Sequence, residues 1–221
     1  SCHYEHMPNV EYYTKCLEIV RKIDSKYIVP CADDDFHALG GVDSAIKFLE
    51  THPSYSTAKG RSIDFIFRNG ELETYPIYTS DRDVGDKSLE LRMQNSLFPW
   101  ISNVWAGFRK EIYQLCLTSV MNLQSMRGRI NGFELSVALI PAIIGSIKVL
   151  DKFYTARAYL PRYPGFPYEE EDPYQWVKNK DADYDIWVDN ILKLSDQVAV
   201  ERDVMRGYLD QTMRYFLNGV S

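Results

Sequence analysis

Apolar side chains recur at helical spacing from the start of the chain. Between residues 10 and 24, Val10, Tyr13, Cys16, Leu17, Val20 and Ile23 share one face, which predicts an amphipathic helix. Tyr27 to Ala32 is then a short, nearly continuous apolar run, the pattern of a strand buried on both faces. Asp33-Asp34-Asp35 follows at its carboxyl end, where open α/β sheets bind ligands. Gly40-Gly41 permits a turn, and Val42, Ile46 and Leu49 mark a second helix that Pro53 ends. Tyr55 to Gly60 reads as a short strand. The clearest hairpin comes next: Ile63, Phe65 and Phe67 alternate, Asn69-Gly70 supplies the turn, and Leu72 to Tyr78 returns.

Further along, residues 79–90 are polar and predict a loop, and LELRMQNSLFPW a short helix or turn. SNVWAGFRKEIY runs from a strand-like segment into a helix that reaches Leu123, and MRGRING reads as a turn. Phe133 to Tyr154 carries a long amphipathic pattern, so a helix is expected, in two pieces because of Pro141 and Gly145. The Pro-rich stretch AYLPRYPGFPYEEEDPYQW has no periodicity and predicts an extended linker or flap. Asp183 to Leu217 is helical in pattern, with an interruption expected near Gly207. No repeat at a fixed period is present. Helix, buried strand and helix in succession indicate an α/β class with a helical C-terminal tail.

Composition changes this picture in a few places. The aromatic share of 14%, with 16 Tyr and 4 Trp, is high. Such side chains fill cores and also stack on sugar rings. A net charge of -6 argues against general nucleic-acid binding, which needs a basic face, and is compatible with recruiting a divalent cation. Cys2, Cys16, Cys31 and Cys116 fit no zinc spacing, and Cys31 reads as a buried thiol. Unpaired cysteines make a reducing, cytoplasmic location the expectation, free or peripheral to a membrane. No run of about 18 apolar residues predicts a spanning helix, and no apolar signal-peptide core opens the chain.

The acidic triplet carries the candidate chemistry. Carboxylates at i and i+2 at a strand end can meet at one hard cation, Mg2+ or Mn2+, which prefers oxygen ligands. That points to Asp33 and Asp35, with Asp34 beside them. Three adjacent carboxylates repel, so the cluster is costly without a cation or strong donors. The structural alternative is a solvated turn capping the helix that follows. His37 lies two residues past the triplet, within reach of a metal or donor if not simply a surface residue. Arg109 suits an oxyanion and is the candidate donor-phosphate contact, against a surface Arg at a helix start. Trp100 and Trp105 are candidates for the acceptor side or for the core. Lys148, Asp151 and Arg157 read as an ion-pair set at a sheet edge.

The segment CADDDFHALGGVDSAIKFLETHPSYSTAKG resembles the central part of family 2-like glycosyltransferases of GT-A fold, in the subgroup with a DDDF motif. RMQNSLFPWISNVWAGFRKEIY is similar to the segment with an aromatic strand and an Arg before a helix. FELSVALIPAIIGSIKVLDKFYTARAYLP is similar to the Glu-bearing helix and the stretch after it. Together these cover roughly residues 10–160.

The resemblance implies a GT-A-like (Rossmann-like) mixed sheet flanked by helices. It implies transfer of a sugar from a nucleotide-diphosphate donor to a hydroxyl acceptor (glycan, lipid-linked or other), assisted by Mn2+ or Mg2+ and inverting. Asp33 and Asp35 would bind the metal; Asp33, Asp34, Asp35 and Arg109 would bind the donor. Glu134 matches the general base at the opening of the later helix, although the family often has Glu-Asp where this chain has Glu134-Leu135. The alternative for Glu134 is a first-turn acid favoured by the helix dipole. The expected organisation is a partial GT-A-like domain over 1–160, a linker or flap over 161–182 and a helical extension over 183–221. The nucleoside-binding half of that fold precedes the Asp-x-Asp strand, where this chain has a single helix. The second reading is therefore a non-catalytic fragment or interaction module that keeps the fold.

Overall fold

The structure, a computed structural model, describes residues 4–77, 79–158 and 174–219. It is a mixed α/β arrangement in which helices flank one sheet. Helix α1 (Tyr12–Lys22) leads to strand β1 (Tyr27–Ile28), β2 (Phe36–His37), α2 (Leu39–Thr51), β3 (Tyr55–Arg68) and β4 (Glu71–Ile77). Then come α3 (Leu89–Leu97), β5 (Gly107–Arg109), α4 (Lys110–Thr118), α5 (Met126–Ile144) and β6 (Ser146–Ala158). The short helix α6 (Gln175–Lys178), α7 (Ala182–Leu192), a 3-10 turn (Ser195–Val198) and α8 (Arg202–Gly219) complete it.

Among the described residues the six strands form one sheet, in the order β1-β5-β3-β6-β2, with β4 also on β3. Long strand β3 is its axis. One edge pairs in parallel with β6, and the other pairs antiparallel with β5 near Thr57 and with β4 from Ser62 onward. Ala45 and Leu49 of α2 cover one face with Ala58 and Tyr154. The other face meets α5 through Ala142 and Ile147, together with Val84 and Ile101. Gly41 lets α2 approach β6 closely, since a Cβ there would lie 2.2 Å from the Phe153 carbonyl oxygen.

The main core is helical. Leu17 and Val20 of α1, Ile112 and Cys116 of α4, and Leu135 and Leu139 of α5 pack with Trp187, Leu209 and Phe216 of the C-terminal helices. Trp187 is fully buried, and its indole donates to the Ser136 hydroxyl at 2.9 Å. Burying an aromatic this large contributes roughly 3 kcal/mol. The helices of the expected 183–221 extension thus share one core with α1, α4 and α5.

Several expectations need correction. The run Tyr27–Ala32 pairs only at Tyr27 and Ile28, at the sheet edge beside β5. Pro30 has no N–H to continue a ladder, the chain leaves the sheet, and Cys31 is exposed rather than buried. The strand expected at 55–60 and the first strand of the hairpin are one element, β3. The hairpin itself is present, with Asn69 and Gly70 both at positive φ; Tyr78, its expected last residue, lies outside the described residues.

The expected turn at MRGRING is the first part of α5, which continues without a break through Pro141 and stops at Ile144. The Asp183 carboxylate holds that start. It accepts from the main-chain N–H groups of Gln124 (2.6 Å) and Ser125 (2.9 Å) and from the Ser125 hydroxyl, which in turn caps Gly128 N. Residues 146–154, expected to be helical, lie in β6, next to the central strand. Of the expected linker over 161–182, residues 161–173 lie outside the described residues, and α6 occupies Gln175–Lys178 with Trp176 and Val177 buried. The helix expected over 183–217 is two, separated at the 3-10 turn, and Gly207 lies inside α8.

Candidate functional site

Asp33 and Asp34 form an exposed turn between β1 and β2, and the Asp35 N–H donates to the Ala32 carbonyl at 3.3 Å. The triplet does not cap α2: that helix has Ala38 as its N-cap, with no side-chain cap bond. The alternation of a strand therefore does not fix where these carboxylates point. Sheet register does place Asp35. β2 runs antiparallel to β6, with Phe36 opposite Ala156 and His37 opposite Thr155. One residue earlier, Asp35 comes opposite Arg157.

Four side chains far apart in sequence meet there. The Arg157 charge and the N–H groups of Ala158 and Trp105 favour the charged form of the Asp35 carboxylate. The Arg157 guanidinium lies over the Trp105 ring, with Cζ 4.5 Å from its centroid. Its Nε is 3.8 Å from Asp64 Oδ1 on the neighbouring strand. Glu134, on α5, also lies in the Arg157 field. Burial first, and then the Asp34 charge, push the Asp35 carboxyl above its ordinary range against the pull of these donors. Burial pushes Glu134 up as well, with Arg157 opposing.

Glu134 sits in the body of α5, about two turns after the helix begins. There is no acidic residue in the first turn of α5, so the helix dipole does not account for a carboxylate at 134. The N-terminal end of α1 borders the same place. Tyr12 is 65% exposed, and its hydroxyl is pushed up by the partial desolvation of that end of the ring first, then by Cys16 and the Asp33 charge. Tyr13 is pushed up by burial, with Tyr12 and Glu134 adding to it. The α1 periodicity accounts for Tyr13 as a core residue and gives no sign of Tyr12 beside the triplet.

Other candidates lie elsewhere. The Arg109 guanidinium donates to the carbonyls of Leu49 (2.8 Å), His52 (3.1 Å) and Tyr55 (2.8 Å), at the C-terminal end of α2. Asp35 and β2 precede the N-terminal end of that helix, roughly 18 Å away along its axis. Beside Arg109 a separate cleft of about 480 Å³ opens, lined by Tyr55, Glu111, Gln114 and Gly145. His37 has both ring nitrogens engaged, Nε2 with the Pro30 carbonyl (2.7 Å) and Nδ1 with the Thr155 hydroxyl (3.0 Å). It ties the β1–β2 connection to β6. Trp100 packs against Phe216 in the helical core. Lys148 pairs with Asp83 at 2.6 Å, and Asp151 is 3.6 Å from Arg61 Nε. Of the ion-pair set read at the sheet edge, Arg157 belongs to the Asp35 cluster.

Among the described residues, no group of three or more His, Cys, Asp or Glu side chains is gathered for a metal ion. The triplet nevertheless suits a cation that brings further ligands with it. Mg2+ is commonly held by one or two carboxylates plus substrate phosphates and water. Asp33 is open to solvent, and Asp35 carries a charge that burial and Asp34 disfavour and a cation would relieve. No protein-family model matches the chain, and no curated protein matches it either. No helix among the described residues is long and apolar enough to cross a membrane.

Proposed function

We propose that the chain is part of a glycosyltransferase of GT-A-like fold that transfers a sugar from a nucleotide-diphosphate donor to a hydroxyl acceptor. The observation that carries this reading is the placement of Asp35 opposite Arg157, whose guanidinium lies over the half-buried Trp105, with the Arg157 charge also felt at Glu134 on α5. Such a reaction needs a pole that neutralises a departing diphosphate and a base that takes the acceptor proton. The acidic turn and α5 provide candidates for both, and the ordered resemblance across residues 10–160 points the same way.

In this reading Asp33 and Asp35 hold Mg2+ or Mn2+, with Asp34 beside the donor. The ion, when bound, supplies the Lewis acidity that stabilises charge on the diphosphate. Glu134 takes the proton from the acceptor hydroxyl as it attacks the anomeric carbon, which inverts the configuration there. Burial raises its proton affinity, as suits a base near neutral pH. Trp105 gives a flat aromatic surface of the kind that packs on a sugar ring, and its N–H favours the charged form of Asp35. Arg109, engaged at the far end of α2, is left out of the donor contacts.

A screen of nucleotide-sugar hydrolysis and transfer with Mn2+, run on wild type, Asp35→Ala and Glu134→Gln, tests the reading. Asp35→Ala is expected to abolish turnover. Glu134→Gln is expected to reduce transfer by at least about 100-fold while donor binding persists. Equal activity in wild type and Asp35→Ala would overturn the metal and donor assignment, and unchanged transfer in Glu134→Gln would remove the base.

A further inference from the structure

Ile63, Phe65 and Phe67 alternate along β3, so they share one face of the sheet with Leu72, which lies opposite Phe67 on β4. On the other side of β3, Ala156 of β6 lies opposite Ile63, and Phe36 of β2 lies opposite Ala156. An apolar face thus crosses four neighbouring strands. Its rings lie in series: the centroids of Phe36 and Phe65 are 5.7 Å apart, and those of Phe65 and Phe67 6.4 Å. With Phe153 they line a shallow groove of about 370 Å³, and among the described residues no Asp, Glu, Lys or Arg contributes to it. Helix α2 covers the sheet near Ala58 and Tyr154. Beyond that cover, Phe36, Phe67, Leu72 and Phe153 remain 63%, 70%, 57% and 51% exposed.

We propose that this face is the interface of a homodimer, in which two copies pack sheet against sheet about a two-fold axis. The area supports a second copy. A large aromatic side chain presents roughly 150–250 Å², so these exposures leave about 500 Å² of apolar surface per copy. Two copies bury about 1,000 Å² before any rim contact, which reaches the threshold of a specific interface. Chemistry favours the same occupant. A second copy brings the same uncharged face, so no like charges are opposed across the axis. The net charge of -6 disfavours anionic partners such as nucleic acid or an acidic lipid surface. Addition of a foreign strand is disfavoured as well. Among the described residues β4 pairs with β3 alone, and it carries the exposed Glu71 and Pro76, devices that blunt a sheet edge. The face itself remains, and two such faces pack about 10 Å apart with their side chains interdigitated. Alternation puts Asp64 and Arg157 on the opposite side of the sheet, so the pairing leaves the Asp35 cluster uncovered.

Sedimentation velocity of the full chain tests this, at concentrations between about 1 and 200 µM, where an interface of this modest size associates. Wild type is expected to pass from monomer to dimer across that range. Phe67→Glu is expected to weaken the association at least tenfold, because each copy would bring a carboxylate into an apolar contact. Tyr215→Glu, which alters an exposed aromatic on α8, is expected to dimerise as wild type does. A wild type that stays monomeric up to 200 µM would overturn the proposal, whether another segment or solvent then covers the face. A dimer that Phe67→Glu leaves intact would overturn it too, by placing the contact elsewhere. If circular dichroism shows that Phe67→Glu does not fold, Leu72→Gln decides in the same way: weaker association supports the interface, and unchanged association overturns it.

Discussion

The Arg157 guanidinium lies over the face of Trp105, 4.5 Å from its centroid, and the indole N–H of the same ring favours the charged form of Asp35. The two contacts can be separated by substitution. Trp105→Phe keeps an aromatic face and loses the donor. Removing a hydrogen bond to a charged group costs about 1.5–3 kcal/mol, so a loss near the lower end is expected at this half-buried position. Trp105→Ala also loses the stack, about 0.5–1 kcal/mol more, and the burial of the ring. Urea unfolding of the two variants checks the order; a Trp105→Phe protein as stable as wild type would mean that the indole N–H contributes nothing, and equal losses in the two variants that the stack and the ring burial add nothing.

Asp35 gives a defined pH signature. Its carboxyl is raised by burial and by Asp34, so its folded value lies above the unfolded one of about 3.9. The folded protein binds the proton more tightly. The stabilisation from this group is therefore full below about pH 3.9 and is lost as pH rises through the folded value. Asp35→Asn is expected to flatten that part of the stability profile. Above it, a cation that binds Asp33 and Asp35 offsets the cost, adding about 2.7 kcal/mol at a concentration of 100 times its Kd. Scanning calorimetry with and without Mg2+ should show a rise in Tm for wild type and little for Asp35→Asn; equal rises would place the ion elsewhere.

How far this site is legible in the sequence depends on the length over which each signal acts. α1, α2, α3 and the β3–β4 hairpin follow from local periodicity and from Asn69-Gly70, because their partners are close in sequence. The hairpin alternation is clear: Ile63, Phe65 and Phe67 share a face with Leu72 and Thr74, and Arg68, Glu71 and Glu73 take the other. β6 is hidden because Ile147, Leu150 and Tyr154 also satisfy helical spacing, and its partner β3 lies a whole α/β unit away. Read as helix, residues 146–154 leave Arg157 among surface ions beyond its end, and the register with Asp35 disappears. The start of α5 is hidden for a similar reason, since the carboxylate that fixes it belongs to Asp183. Asp35 and Glu134 are visible as residue types in order; that Asp35 comes opposite Arg157 is a property of the sheet.

Arg109 distinguishes a structural contact from a donor contact. It neutralises the last carbonyls of α2, where a positive charge also suits the helix dipole. Arg109→Ala is expected to cost about 2–3 kcal/mol of stability. The folded fraction should bind Mn2+ and nucleotide as wild type does, by calorimetry below the variant's Tm. A folded Arg109→Ala protein that has lost donor binding would return this residue to the donor site.

Asp183 should make the helical core sensitive to acid. Burial alone would raise its carboxyl, but donation from the Ser125 hydroxyl and from the Gln124 and Ser125 N–H groups, aided by Arg129, holds it below the usual range. Its contribution is present above about pH 3.9 and is lost as pH falls through the lower folded value. Asp183→Asn keeps the shape and loses the charge. It is expected to lose stability at pH 7, by about 1–3 kcal/mol, and to approach wild type at the acid end. A constant difference across pH would show that only the geometry of the cap matters.

Lys59 and Asp81 form an ion pair with both side chains 4% exposed, under the segment that leads to Trp105. Lys59 also donates to the Ser102 carbonyl, and Arg61 donates to the Asp81 carbonyl at 3.0 Å. Burial lowers the lysine and raises the aspartate, and each is opposed by the other's charge. Removing one partner leaves the other charged and buried, at a cost of about 3–5 kcal/mol. Lys59→Met and Asp81→Leu are each expected to show a loss of that size in urea unfolding. The double substitution replaces the pair with apolar volume, which is often neutral, so it should be more stable than either single variant. That result would make the pair a matched requirement of the fold. Losses that simply add would instead mean that Lys59 and Asp81 are held by Ser102 and Arg61 independently of each other.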